Sequence, residues 1–158
     1  MTTYLNEKTA IYPKSKGVST VLGEKKDCVI RAAVNAGVAD YQKVHDVCAY
    51  FGRKVGQGTQ LGTWIQAYTN LGVKLMGVFG TTLTAQNEAY QLGKRGYEFE
   101  SFKGITIKSF VKTFPKGKFI CMSNNHAFAI VDGELIDATS LLHNTRITVV
   151  FTVVFTVK

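Results

Sequence analysis

Apolar residues recur at helical spacing through the first half of the chain and change period in the second. Val29, Ala32, Ala33 and Ala36 form an apolar face of little bulk. With Asp27 before them as a favoured N-cap type and Gly37 beyond, they predict a helix over residues 28–36. Tyr41, Val44, Val47, Cys48 and Phe51 predict a second helix that starts after Asp40 and stops at Gly52. After the loop Gly56-Gln57-Gly58-Thr59, a third helix carries Leu61, Trp64, Ile65, Tyr68 and Leu71 on one stripe and ends at Gly72. Residues 73–79 read as a strand. Residues 80–104 hold few long apolar runs and several glycines, which predicts a long ordered loop, and a loop of that length suggests binding. Residues 106–113 predict a short helix terminated by Pro115 and Gly117. Strands follow over 118–123, 126–131 and 134–138, the last two flanking Asp132-Gly133, a strong short hairpin signal. Residues 146–157 alternate Ile147, Val149, Phe151, Val153, Phe155 and Val157 on one face. The expected class is α+β, with N-terminal helices packed on a C-terminal antiparallel sheet. A single domain over 1–158 divides into an arm (1–26), a helical half (27–72) and a mainly sheet half (73–158).

The length of 158 residues fits one domain. A chain of that size buries roughly 70% of its unfolded surface and needs no staples. At 46% hydrophobic and 19% charged residues, the composition excludes a disordered chain. Three cysteines are too few for a disulfide scaffold, so free thiols in a reducing, cytoplasmic compartment are expected. No apolar run reaches the ~18 residues of a membrane span, and the first residues hold no signal-peptide run, so no membrane association is expected. The net charge of +8 admits an acidic partner. The basic residues are scattered, as at Lys8, Lys14, Lys25, Lys108 and Lys116, with no aromatic interleaving, so no specific nucleic-acid binding is expected. The histidines and cysteines show no metal-ligand spacing, so no metal and no cofactor are expected.

Cys28, His126 and Asp137 are the residues in which chemistry concentrates. A cysteine is a useful nucleophile only as thiolate, and the first turn of a helix favours an anion. Asp27 beside it opposes thiolate formation, so Cys28 needs an imidazole partner. His126 opens a strand. If Asp132-Gly133 is a two-residue turn, Val131 faces Glu134 and Phe128 faces Asp137, which makes His126 and Asp137 diagonal neighbours on one face. A carboxylate there holds the imidazole's tautomer and leaves its other nitrogen for the thiol. Nucleophile and base then come from different halves, and a cleft between the halves is expected. Cys48, on a helical stripe, and Cys121, inside an apolar strand, read as core residues.

The segment from Asn125-His126-Ala127-Phe128-Ala129-Ile130-Val131 to Asp132-Gly133 resembles the histidine motif of papain-like cysteine peptidases. Asp27-Cys28-Val29-Ile30-Arg31-Ala32 resembles the start of their nucleophile helix. The chain is similar, over about residues 26–157, to small phage and bacterial proteins with a papain-like fold. These carry an Asp-Cys-x-x-Arg-Ala opening and a Gly-Arg-x-x-Gly-x-Gly-Thr loop, here residues 52–59. The resemblance implies a papain-like fold, a Cys28–His126–Asp137 triad, and Asp27 and Asn125 as site-adjacent residues. Residues 21–26 lack the Gln that such enzymes place before the nucleophile. The backbone N–H of Cys28 supplies one oxyanion donor and the second is unassigned. The implied function is a thiol hydrolase acting on peptide or isopeptide bonds of a polypeptide, phage-encoded and located in the host cytoplasm or the virion. The alternatives are a catalytically inactive papain-like protein that binds a virion or host partner, and a thiol acyltransferase.

Overall fold

The structure is a computed structural model that describes residues 27–54, 58, 60–123, 126–136 and 144–153. Helices α1 (Cys28–Asn35), α2 (Tyr41–Tyr50) and α3 (Leu61–Asn70) come first. Their ends follow local chemistry. Asp40 has extended backbone, and its carboxylate accepts the Lys43 N–H at 2.8 Å, capping α2. Helix α1 closes on Gly37, whose φ of +80° admits glycine without strain. There the Gly37 N–H donates to the Val34 carbonyl and the Val38 N–H to the Ala33 carbonyl, a Schellman closure.

Next come β1 (Lys74–Phe79), α4 (Leu83–Lys94) and β2 (Glu100–Phe102), with β1 and β2 parallel. This unit corrects the expectation of a long loop over 80–104. The inward side of α4 offers Ala85, Ala89 and Leu92, and only the last is bulky. Its large apolar residues Leu83 and Tyr90 point to solvent. Small residues inside and large ones outside erase the helical hydrophobic signal. The N-cap survives, with the Thr82 hydroxyl accepting the Ala85 N–H.

The remaining elements are β3 (Ile105–Thr106), α5 (Ile107–Thr113), β4 (Lys118–Ser123), β5 (His126–Val131), β6 (Glu134–Ile136), β7 (Arg146–Ile147) and β8 (Val149–Thr152). The main sheet runs β2-β1-β8-β4-β5-β6, antiparallel except at β1–β2, while β3 and β7 form a separate antiparallel pair. The class is therefore α+β with a mostly antiparallel sheet. The order of helices first and sheet second is corrected by α4, which lies between strands, while α5 falls where a short helix was expected. The Asp132-Gly133 turn has φ of 48° and 81°, as a type I′ hairpin requires. Its register pairs Val131 with Glu134, Ile130 with Leu135 and Ala129 with Ile136, as expected from the sequence. The single strand expected over 146–157 is corrected, as far as residue 153, to two strands joined at Thr148, and residues 154–157 lie outside the described residues. The Thr148 N–H donates to the Met122 carbonyl, and its own carbonyl accepts the Phe79 N–H. Across this joint the side-chain alternation breaks, so Ile147 lies on the opposite face from Val149 and Phe151.

Helices α1–α4 cover one face of the sheet, packing on Ile120, Met122, Ala127, Ala129, Val149 and Phe151. Helix α5 covers the other with Ile107, Phe110 and Val111 against Cys121, Phe128, Ile130 and Val150. Burial on both faces explains why β4 and β5 read as unbroken apolar runs. Ala32, Ala33 and Ala36 of α1 share a core with Ala127 and Ala129 of β5, and this lack of bulk lets the helix lie close to the strand. The arm 1–26 and most of the glycine-rich loop lie outside the described residues.

Candidate active site at the start of helix α1

Cys28 is the first residue of α1 and is partly exposed. Helix α1 packs along β5. Its direction follows from its far end, where a methyl group on Gly37 would stand 3.5 Å from Lys118 Nζ. Lys118 pairs with Val131, the last residue of β5. Helix and strand are thus antiparallel, and the Cys28 end of α1 lies toward the end of the strand that His126 begins. His126 is half-buried, and its ring stacks on Phe128 with centroids 6.1 Å apart and planes at 23°. It shares that face of β5 with Phe128 and Ile130, while Ala127 and Ala129 face α1. Asp137 and Asn125 lie outside the described residues.

Asp27 departs from its expected role. It stands at the N-cap position of α1, yet its side chain makes no capping hydrogen bond. The fully buried carboxylate accepts the Tyr41 hydroxyl at 2.5 Å and lies 2.9 Å from Arg31 Nε. The Arg31 contact is a charge contact without an aligned hydrogen bond. The expectation of an Asp27 cap fails for a physical reason: the Tyr41 donor and the Arg31 charge outbid two backbone amides for a buried carboxylate. Tyr68, fully buried on α3, donates its hydroxyl to the Val29 carbonyl at 2.7 Å, pinning the first turn of α1. Burial first, then the neighbouring thiols of Cys48 and Cys28, hold the Tyr68 phenol well above its usual range, so it stays a donor. Sequence reasoning placed Tyr41 and Tyr68 on core stripes and missed this second role. The i,i+4 spacing of Asp27 and Arg31 was the one available signal.

The thiols differ sharply. Burial pushes Cys48 up to about 11 against the opposing charge of Arg53, and burial alone pushes Cys121 higher still. Both are buried, as their places in the sequence implied, whereas Cys28 is partly exposed. Iodoacetamide at neutral pH is therefore expected to modify Cys28 before the other two by about a hundredfold or more in rate. Peptide mapping by mass spectrometry checks the order, and first labelling of Cys48 or Cys121 would contradict it.

Among the described residues no group of three or more His, Cys, Asp or Glu side chains is placed to hold a metal ion, and no helix is long and apolar enough to cross a membrane. What the arrangement offers chemically is a thiol on a helical first turn, an imidazole at the start of the strand on which that helix packs, and an Asp27–Arg31–Tyr41 cluster at the same helix start. Comparison with known proteins returns no match, whether among family models, curated proteins or solved structures.

Proposed function

We propose that the chain is a papain-like thiol hydrolase that cleaves a peptide or isopeptide bond, with Cys28 as nucleophile, His126 as base and acid, and Asp137 orienting the imidazole. What supports the reading is the antiparallel seating of α1 on β5, which carries the one partly exposed cysteine of the described residues toward the His126 end of the strand. His126 shares the face of β5 that points away from α1, so the proposed pairing requires the imidazole to turn around the end of the strand toward the sulfur. In the proposed cycle the Cys28 sulfur attacks the carbonyl carbon and its proton passes to His126. The C–N bond breaks as His126 returns that proton to the leaving nitrogen. Water, deprotonated by the same imidazole, then breaks the C–S bond and frees the carboxylate. The backbone N–H of Cys28, on the first turn of α1, is the donor this reading assigns to the developing oxyanion.

The pH dependence of Cys28 alkylation tests this directly. With an imidazolium beside it, the thiol is expected to keep reacting below neutral pH. His126→Ala is expected to lower the rate at pH 6 by about tenfold or more and to move the midpoint toward the ~8.5 of an ordinary cysteine. Identical profiles in the two proteins would remove His126 from the mechanism and leave a papain-like binding protein. Given turnover, an added amine separates hydrolysis, which yields the free acid, from acyl transfer, which yields the amide.

A further inference from the structure

Asp27 and Asp40 are the same residue type before consecutive helices and do opposite things. Asp40 has ψ of 167° and its carboxylate caps α2. Asp27 has ψ of 28° and its carboxylate makes no capping bond, being turned to Tyr41 and Arg31. An Asp cap on α1 would place an anion against the amides of the first turn, the groups that favour a thiolate on Cys28. The observed placement avoids this. It also carries an internal cost, because Oδ1 is buried with only a charge contact and no aligned hydrogen bond. The Tyr41 hydroxyl is the aligned donor that holds the carboxylate where it is.

We infer that Tyr41, together with Arg31, is a positioning residue for Cys28: it holds the Asp27 carboxylate off the first turn of α1, so that the amides of that turn serve the thiolate and, in turnover, the substrate's carbonyl oxygen. The inference rests on the reading of Cys28 as nucleophile. The titratable and charged groups at the start of α1 and on the elements packed against it include, among the described residues, Asp27 and Arg31 beside Cys28 in the chain, Tyr41 and Cys48 on α2 with Arg53 beside Cys48, Tyr68 on α3 and His126 on β5. Cys48 and Tyr68 are held neutral by burial. Asp27 is the carboxylate of this group, and where it is held bears on the sulfur beside it in the chain.

Tyr41→Phe keeps the buried ring and its stacking on His45 while deleting the donor. In this variant the Cys28 alkylation rate at pH 7 is expected to fall about threefold to tenfold and its pH midpoint to rise, because the carboxylate is free to swing onto the helix start. Asp27→Asn in the same chain is expected to return most of the loss, since an amide brings no charge. A folded Tyr41→Phe protein with the parent's pH profile overturns the inference, and so does a double variant that recovers nothing. If Tyr41→Phe does not fold, Arg31→Gln, alone and with Asp27→Asn, is held to the same two expectations. The comparison is repeated in the His126→Ala background. There the Tyr41 effect is expected to persist even if His126 proves irrelevant to the thiol, so a failure of the hydrolase reading is told apart from a failure of this one.

Discussion

Cys28→Ala is expected to abolish turnover of any amide substrate that the parent chain hydrolyses, a loss of about a thousandfold or more. The same variant is expected to unfold within a few degrees of the parent. Cys28 is partly exposed and lies on the margin of the core, so losing its sulfur opens no enclosed cavity. The combination matters, because loss of activity with an unchanged thermal midpoint marks a chemical role. Residual turnover equal to the parent's would show that another group runs the reaction. Asp137→Asn gives the companion measurement. It is expected to fold normally and to retain part of the activity, because an amide can still orient an imidazole.

The largest expected stability loss lies in the sheet. Phe151 is fully buried on β8, the strand between β1 and β4. Its ring meets Tyr68 edge to face at 5.0 Å and Trp64 at 5.5 Å. Phe151→Ala removes the ring, both aromatic contacts and the filling of that space, and is expected to cost about 3–5 kcal/mol, read as a lowered urea midpoint. That is a large share of the ~5–15 kcal/mol that holds a domain folded. Tyr68 links this loss to the thiol, since the ring resting on Phe151 also anchors the Val29 carbonyl. Alkylation of Cys28 in Phe151→Ala, under conditions where the protein is still folded, is therefore expected to slow. Leu83→Ala on the exposed side of α4 is the control, expected to change stability by no more than about 0.5 kcal/mol. A comparable loss in both variants would mean that the core assignment is wrong.

The parts legible in the sequence are those fixed by short-range chemistry. Asp132-Gly133 specified its turn and register because two successive residues with positive φ admit few side chains. Strands β4 and β5 and the ends of α1 and α2 were legible for similar reasons, through unbroken apolar runs, an Asp cap and a closing glycine. Helix α4 was hidden because Ala85 and Ala89 carry too little hydrophobic weight to reveal a period, and Leu83 and Tyr90 point the wrong way. The parallel pairing of β1 with β2 depended on recognising that helix first. Ile147 was assigned to the wrong face because Thr148 donates and accepts across two neighbouring strands and breaks the alternation, which no local pattern announces. At the site, the position of Cys28 on a helical first turn was legible, whereas the fate of the Asp27 carboxylate was not. An Asp before a helix can cap it or pair with a residue one turn on, and here a tyrosine from the next helix decides between them.

Strand order also bears on how such a molecule comes into being. Within the main sheet, β8 is the last strand in chain order, yet it sits between β1 and β4 and hydrogen-bonds to both. During synthesis, β1 with its flanking helices and the β4–β5 hairpin can each form locally, but no strand hydrogen-bonds to both until residues 149–152 have left the ribosome. Pairings of such long sequence separation make folding slow and late. The sheet on which α1 packs is therefore completed only once β8 has been made. A nascent chain that already holds Cys28 carries it on a helix whose supporting sheet still has a gap, until the closing strand slides in.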